Sequence, residues 1–477
     1  MRCPESLRTL SDGLVSRVST LAADRGASIY LVGGYVRDAV LGKLEGKKDL
    51  DFAVADREAI DLARSIADSL QGHFVLLDES NDTARVVLED GTVIDFAGCL
   101  GGTIETDLLR RDFTINSLAW SASQPDMLLD PTGGMADIER RLVRAVSEKA
   151  FEEDPLRLLR AFRFSARLGF DIDEKTMACI EKHRQNLAGV AVERINYELF
   201  ALLGEPGSGD TLERMGALEL LDVVFPELTE CRRVTANAFH HLGLFDHSIE
   251  AVRQMEMALP GLPGWVRESA EQELSFGISR LAATKLACLL HDIGKPATWS
   301  ITEEGRHTFY GHDGVGAEMA EPLSERMKWS RPVTRLIIRL IKWHLRPGQL
   351  FHQGEPSLKA LSRFYRNIGD DLPELMMLAY GDLGATRGDG LTPEVRRSLS
   401  RNFDGLLSGF VLYKEERKRT PRLLNGRDIM SLLSLQPGPM VGDLLDSLDD
   451  AQAAGEVQDR LQAEDFVRDL YEKEYCG

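Results

Sequence analysis

The chain lacks any excess of positive charge: 76 acidic residues against 57 basic ones leave a formal net charge of −19. That sign excludes a protein that coats nucleic acid nonspecifically, so any nucleic acid must be held by a local basic patch amid acidic surface. The six cysteines (Cys3, Cys99, Cys179, Cys231, Cys288 and Cys476) lie far apart and form no CxxC pair. Their scatter argues against a disulfide scaffold and a zinc ribbon and fits a reducing cytoplasm. No apolar run is long enough to span a bilayer, and the N-terminus shows no signal-peptide pattern. Internal repeats and low-complexity segments are missing as well. What is there, 477 residues at 43% hydrophobic and 28% charged, reads as soluble globular sequence too long for one core.

The most informative stretch is Ile29 to Ala55, IYLVGGYVRDAVLGKLEGKKDLDFAVA. It reads as strand, tight turn, short helix, loop and strand. An apolar run ends at Gly33–Gly34, where backbone can approach a ligand closely and the following helix presents unpaired N–H groups to phosphate oxygens. Arg37 is placed on the first turn of that helix, within reach of a charge-assisted contact. On the second strand, alternation puts Asp49 and Asp51 on one face and sends Leu50 and Phe52 into the core. Two carboxylates that close repel unless a cation lies between them, which points to Mg²⁺. With 14 residues between Gly34 and Asp49, the order resembles the nucleotidyltransferase superfamily signature, hydrophobic-Gly-Gly followed by Asp-x-Asp.

Farther along, residues 57–70 have helical periodicity, and strand-like runs cover Phe74–Leu77, Ala84–Leu88 and Thr92–Ala97. Asp95 in the last run is either a third acid on the sheet or an edge-strand aspartate. LLRRDFTINSLAW at 108–120 places Arg110, Arg111 and Asp112 before an apolar–polar alternation in which Asn116 is half buried, and Asp130-Pro131-Thr132-Gly133-Gly134 follows as a turn. In EEDPLRLLRAFRFSARLGF, 152–170, Asp154-Pro155 reads as a helix start with Asp at the N-cap. Arg157, Arg160, Arg163 and Arg167 then recur at spacings of 3, 3 and 4, forming a stripe roughly 120° wide. The rest of that helix is apolar nearly all round, so the stripe is expected to line an internal cleft. Eight of the ten histidines fall between His240 and His352. His247, His291-Asp292, His312, His344 and Asp382 each sit in or beside a helical segment, and His and Asp suit divalent Mn, Fe, Ni, Co or Zn. Pro, Gly and charge at 383–397 suggest a linker.

Together RRDFTIN, DPTGG, the EDxxR set (Glu153, Asp154, Arg157) and VAVERINYELFALL resemble the class II, bacterial-type tRNA nucleotidyltransferases, which are related to bacterial poly(A) polymerases. LLHDIGKP with the ordered His and Asp set resembles the HD phosphohydrolase superfamily, and 422–460, with Asn425-Gly426-x-Asp428 and Pro437-Gly438-Pro439, resembles the tail of HD-containing relatives. The resemblance implies an α+β fold: a polymerase-β-like mixed α/β head at 1–138, a helical neck at 139–230, a helical HD domain at 231–390 and a helical tail at 391–477 that binds tRNA. It implies addition of CMP, then AMP in full CCA-adding members, to tRNA 3′ ends from CTP and ATP without a nucleic-acid template. In that frame Asp49 and Asp51 are catalytic and hold Mg²⁺; Gly34 and Arg37 hold the triphosphate; Arg111, Arg160 and Arg163 contact the nucleotide. Asp154 and Arg157 read the base, since cytosine offers an N4 donor to a carboxylate and O2/N3 acceptors to a guanidinium. Glu193, Arg194 and Glu198 are expected to brace the neck. His247, His291, Asp292 and Asp382, with His312 and His344 as further ligands, are expected to hold a transition metal such as Mn, Ni or Co, with Lys295 toward a substrate phosphate. In complete CCA-adding members the strand matching Val93–Ala97 leads into a longer loop implicated in switching from C to A. Here 14 residues separate Asp95 from Arg110, with glycines at 98, 101 and 102. The span is expected to be a short flexible connection without the lever, which implies a CC-adding enzyme working before a separate A-adding partner. A complete CCA-adding enzyme, a poly(A) polymerase (commonly basic, unlike this chain), an HD phosphohydrolase with a merely nucleotide-binding head, and a noncatalytic RNA-binding protein are the rivals.

Overall fold

The computed structural model describes residues 7, 13–44, 49–56, 58–236, 241–388, 391–419, 421–453 and 455–475. Arg57, which opens the helical span read at 57–70, lies outside them, as do His240, Cys3 and Cys476. The chain forms two compact units, one made of residues 1–206 and 211–225, the other of 207–210 and 226–477.

The first unit is built on a seven-stranded sheet ordered β3-β4-β5-β2-β1-β6-β7. Its strands are β1 (Ser28–Val32), β2 (Asp49–Ala55), β3 (His73–Asp78), β4 (Thr83–Val87), β5 (Val93–Gly98), β6 (Ala119–Trp120) and β7 (Leu128–Leu129). All neighbours run antiparallel except β2 and β5, which are parallel and in a register that sets Asp51 beside Asp95. The core faces of β2 and β5 close on each other through Phe52 and Phe96, stacked at 5.6 Å. Helix α1 (Gly33–Val40) follows β1 directly, and α2 (Ala59–Leu70) buries Leu62, Ala63 and Ile66. Because α1 begins at Gly33, Arg37 falls on its second turn and not its first.

Three local readings are corrected. Asn116, expected to be half buried in the alternation of RRDFTINSLAW, is buried: Thr114–Asn116 is a 3₁₀ turn in which Thr114 Oγ1 donates to Asp137 at 2.7 Å and Asn116 donates to Asp112 at 3.0 Å. The connection after β5 is not featureless: Thr103 accepts the Thr106 N–H at 3.3 Å and starts helix α3 (Ile104–Leu108). The arginine-bearing helix α4 (Arg157–Leu168) begins after a turn at Pro155–Leu156, and Asp154 still accepts the Leu156 N–H at 3.2 Å. Helix α5 (Val192–Gly204) buries Glu198 with Leu199, Leu202 and Leu203.

Among the described residues the second unit is helical apart from two short hairpins. Helices α6 (Leu244–Ala258), α7 (Arg280–Leu290), α8 (His312–Arg326), α9 (Arg331–Trp343) and α10 (Leu372–Ala385) surround the HD segment. The stretch read as a linker is short: α10 runs to Ala385, and Pro393 opens α11 (Pro393–Arg419), a helix of 27 residues. Proline at the first helical position leaves no backbone N–H unpaired, so this residue starts a helix instead of breaking one. In the tail, Asn425 and Asp428 form a reciprocal capping box, which explains the Asn-Gly-x-Asp cue.

Candidate active site

On the first unit a cleft of about 660 Å³ opens over the carboxyl side of the strand–helix turn. Asp49, Asp51 and Asp95 line it together with Arg85, Arg111, Arg160, Arg163 and Arg167. Gly33, with φ +69°, is the glycine this geometry requires: a Cβ there would meet Arg111 Nη1 at 3.3 Å and Asp51 Oδ2 at 3.7 Å. Gly34 lines the same cleft. Asp95 accepts both Nε and Nη2 of Arg85, at 2.7 and 2.9 Å. The carboxylates of Asp49 and Asp51 on one strand face form a hard-oxygen donor pair of the kind Mg²⁺ takes, so the residues present fit that ion.

Along one wall of the cleft runs a continuous chain of polar groups, half-buried at Arg160 and otherwise buried. Arg37 is 2% exposed; its Nε donates to Asp38 at 2.8 Å and its Nη1 to Asn116 at 2.6 Å. Asn116 donates to Asp112, whose other oxygen accepts Nε and Nη2 of Arg160 at 2.9 and 2.7 Å. Arg160 also reaches Glu198 at 3.3 Å, and Glu198 accepts Nε of Arg163. Burial pushes the Asp112 carboxyl up, but Arg160 and Asn116 outweigh it and hold the group below the usual range. Arg37 is pulled below its ordinary value by burial, against the neighbouring Asp38. The arginine stripe therefore lines a cleft, as its spacing indicated, but Arg37 is locked into this network more than it is offered to solvent.

A second hollow of about 290 Å³ adjoins the first, lined by Arg111, Asp112, Asp154, Arg157, Arg160 and Arg194. Asp154 accepts Nη2 of Arg194 at 2.8 Å, and Arg157 Nη1 donates to the Ala150 carbonyl at 3.2 Å. Arg111 is clamped by Asp107 of α3 through Nε and Nη2 at 3.0 and 2.9 Å. Sequence reasoning missed Arg85, Asp112, Asn116 and Tyr197 (70% exposed at the cleft) as members of this site; Arg194, expected to brace the neck, also lines the second hollow. Arg85 carried a usable signal, since period-2 alternation puts it on the Asp95 face once β4 and β5 are paired.

The second unit gathers the other predicted residues. His291 Nε2 lies 3.1 Å from Asp292 Oδ2 and 3.8 Å from Asp382 Oδ1, and His247 Nε2 is 3.1 Å from Asp382 Oδ1. Asp292 turns its other oxygen to His312 and His344, at 3.1 and 3.6 Å. His291, His312 and His344 each have Nδ1 2.7 Å from the carbonyl three residues earlier, which fixes the proton on Nδ1 and leaves Nε2 as a lone pair. Lone pairs aimed at a carboxylate, and at each other across 3.2 Å between His312 and His344, repel unless a cation sits among them. This donor set fits a divalent transition metal, which His247, His291, Asp292 and Asp382, with His312 and His344, would hold. Burial, the largest influence, holds the His344 imidazole down to about 4. Lys295 Nζ stands 2.5 Å from Asp292 Oδ2.

Family descriptions match in the same order: the poly A polymerase head domain at 29–99 and 78–144, the probable RNA and SrmB-binding site of polymerase A at 169–232, and the HD domain at 244–376. An A-adding tRNA nucleotidyltransferase of Deinococcus radiodurans is 34% identical over 445 residues, 92% of this chain and 94% of that one. A CC-adding tRNA nucleotidyltransferase of Geobacter sulfurreducens is 34% identical over 97% of this chain and 96% of its own length. Among solved structures, an apo CCA-adding enzyme superposes with a TM-score of 0.69 at 22% identity, covering 99% of this chain and 98% of that one, which shows a shared fold. No helix among the described residues is long and apolar enough to cross a membrane. With its α/β head, RNA-binding segment and HD domain in this order, the chain is a nucleotidyltransferase and belongs to the class II, bacterial-type tRNA nucleotidyltransferase family.

Proposed function

We propose that the protein adds CMP to tRNA 3′ ends and stops at CC. The observation that carries the stop is the connection from β5 to Arg111. It holds one turn at Cys99–Gly102 and the five-residue helix α3, and it ends by clamping Arg111 through Asp107. No segment there is long enough to reset the base pocket between C and A. Asp154 and Arg157 are assigned the base edge, Gly34 and Arg111 the triphosphate and nucleotide, Arg160 and Arg163 the sugar–phosphate side, and Arg37 the positioning of Asn116 and Asp112. Asp49 and Asp51 are the catalytic pair that would hold Mg²⁺, which when bound lowers the pKa of the attacking 3′-OH and neutralises charge on the leaving pyrophosphate. The cationic cleft aligns the α-phosphate for in-line attack while the acids orient the hydroxyl. Head 1–138, neck 139–230, HD domain 231–390 and tail 391–477 are the assigned domains; the break between compact units near residue 226 supports the second boundary. Free thiols at Cys99, Cys179, Cys231 and Cys288 support a cytoplasmic setting.

The deciding experiment supplies CTP and ATP, together and singly, to tRNA ending at the discriminator base and to tRNA ending in CC. A product stalled at two cytidines supports the proposal and calls for a separate A-adding partner. Full CCA addition refutes the stop, and adenylation confined to tRNA ending in CC reassigns the chain to A addition.

We further propose that the HD cluster hydrolyses phosphoesters such as a 2′,3′-cyclic phosphate, carried by the converging Nε2 atoms around Asp292. His291→Ala is expected to abolish that hydrolysis in metal-loaded protein and to leave nucleotide addition intact. Absence of phosphoesterase activity in the wild type across RNA-end substrates would make the domain structural.

A further inference from the structure

We infer, on the reading that the protein adds CMP to tRNA 3′ ends, that Tyr197 and Arg167 form the subsite for the RNA end being extended. The Tyr197 ring stacks on the terminal base of that end, and Arg167 holds a phosphate of its backbone. Two substrates have to meet on the first unit. The groups assigned to the incoming base line the hollow of about 290 Å³, and neither Tyr197 nor Arg167 is among them. Both line the larger cleft of about 660 Å³ with Asp49 and Asp51, where the attacking 3′-OH must arrive.

Each of the two differs from its neighbours in a way that suits an RNA end. Of the arginines in the cleft, Arg37, Arg85, Arg111, Arg160 and Arg163 are each paired with a carboxylate. Arg167, exposed on the last turn of α4, has no carboxylate partner among the described residues, so its charge is open to an anion. The other rings in the cleft, Phe52 and Phe164, are 2% and 5% exposed and offer no free face, whereas Tyr197 is 70% exposed. Tyr197 stands three residues after Arg194 on α5 and shares its helix face, which therefore runs from the hollow for the incoming base to the cleft. Glu198 beside it is buried and ties α5 to α4 through Arg160 and Arg163, so the ring is carried on a braced helix. Stacking is also the contact the reaction calls for. After the first addition the terminal base of the RNA changes from the base that ended the tRNA to cytosine. A hydrogen-bonding pocket cut to one base edge rejects the other, but a ring accepts every base because each has a π-face.

The test uses full-length protein, CTP with Mg²⁺, and tRNA minihelices whose 3′-terminal nucleotide carries adenine, cytosine or no base, each keeping its 3′-OH. The wild type is expected to extend the two base-bearing ends with similar kcat/KM and the abasic end about tenfold less well. Tyr197→Ala should lose about tenfold on the base-bearing ends, through KM for RNA, and nothing further on the abasic end, while Tyr197→Phe should behave as wild type. Arg167→Gln should raise KM for RNA on all three ends and lower the slope of log KM against log salt by roughly one. Affinity for CTP without RNA should not change in any variant, and melting temperature checks the fold of each. With 2-aminopurine as the terminal base, fluorescence should be quenched on binding to the wild type and not to Tyr197→Ala. Equal loss by Tyr197→Ala on base-bearing and abasic ends, or a loss of CTP affinity in place of RNA affinity, overturns the stacking. An Arg167→Gln protein with the RNA KM and salt slope of the wild type overturns the phosphate contact. A wild type that adds CMP to none of the ends overturns the transferase reading, and the quenching, which needs no catalysis, then decides the subsite alone.

Discussion

Glu198 is the residue on which the arginine side of the nucleotide cleft depends, and its removal gives a quantitative test. The carboxylate is 1% exposed and serves two guanidiniums, Arg160 at 3.3 Å and Arg163. In Glu198→Ala, Arg160 keeps Asp112 as a partner, but Arg163, 8% exposed, loses its carboxylate and retains the ring face of Phe164 at 4.4 Å. Breaking a buried pair from one side costs about 3–5 kcal/mol. The remaining cation–π contact and the open cleft, where water can enter, favour the lower end, about 3 kcal/mol. For a unit of roughly this size each kcal/mol moves Tm by about 2–4 °C, so a drop of about 6–12 °C is expected in the transition of the N-terminal unit. Calorimetry of the full chain reads it, and the transition is identified as the one CTP shifts upward. Glu198→Gln keeps the shape and one acceptor oxygen and should lose about half as much. Nucleotide KM should rise in both variants, because Arg160 and Arg163 lose their common anchor. A Glu198→Ala protein that melts within about 1 °C of wild type, with KM unchanged, would refute the claim that this carboxylate organises the cleft.

Asp49→Ala and Asp51→Ala are each expected to abolish nucleotide addition while Tm stays level or rises slightly, since removing one of two like charges relieves repulsion; full activity of the double variant with Mg²⁺ present would overturn the catalytic assignment. Asp112 supplies a pH signature. Its carboxyl is held below the usual range in the folded chain, so its contribution is complete above the unfolded value near about 4 and is lost as pH falls from there through the folded value. Asp112→Asn should therefore be less stable than wild type at neutral pH, with the gap closing below about pH 4; a gap independent of pH between about 3 and 7 would contradict the assignment.

The acids and the arginines were legible because each obeys a short-range period. Alternation alone puts Asp49 and Asp51 on one face, and spacings of 3, 3 and 4 alone make a stripe of Arg157, Arg160, Arg163 and Arg167. Asp95 and Glu198 stood out as candidates, but which residue each would meet was not legible, because the partners arrive from far along the chain. Asp95 meets Asp51 through parallel pairing across more than forty residues, and Glu198 meets Arg163 from 35 residues away. The same limit explains the 3₁₀ turn at Thr114–Asn116. Its apolar–polar alternation does not show the side-chain bonds to Asp137 and Asp112 that turn and bury it. Composition misled at 383–397 for a different reason: Pro393 and its charged neighbours are the signs of a linker and equally those of a helix start, and the 27-residue α11 shows which applied.

That long-range wiring bears on base selection. Asp154 is tied to Arg194 and to the Leu156 N–H, and Arg157 to the Ala150 carbonyl. Both groups proposed to read the base are thus anchored by residues of 139–230, and Arg111 beside them is anchored by Asp107 on the short helix after β5. Reading adenine after cytosine requires a different sequence of donors and acceptors from the same two side chains. Such a change would have to break the Asp154–Arg194 pair, and the segment after β5 is occupied in holding Arg111 and offers no free length to do it. These anchors tie the proposed base edge to the neck and to the segment after β5, and with the short connection they support the proposed stop at CC.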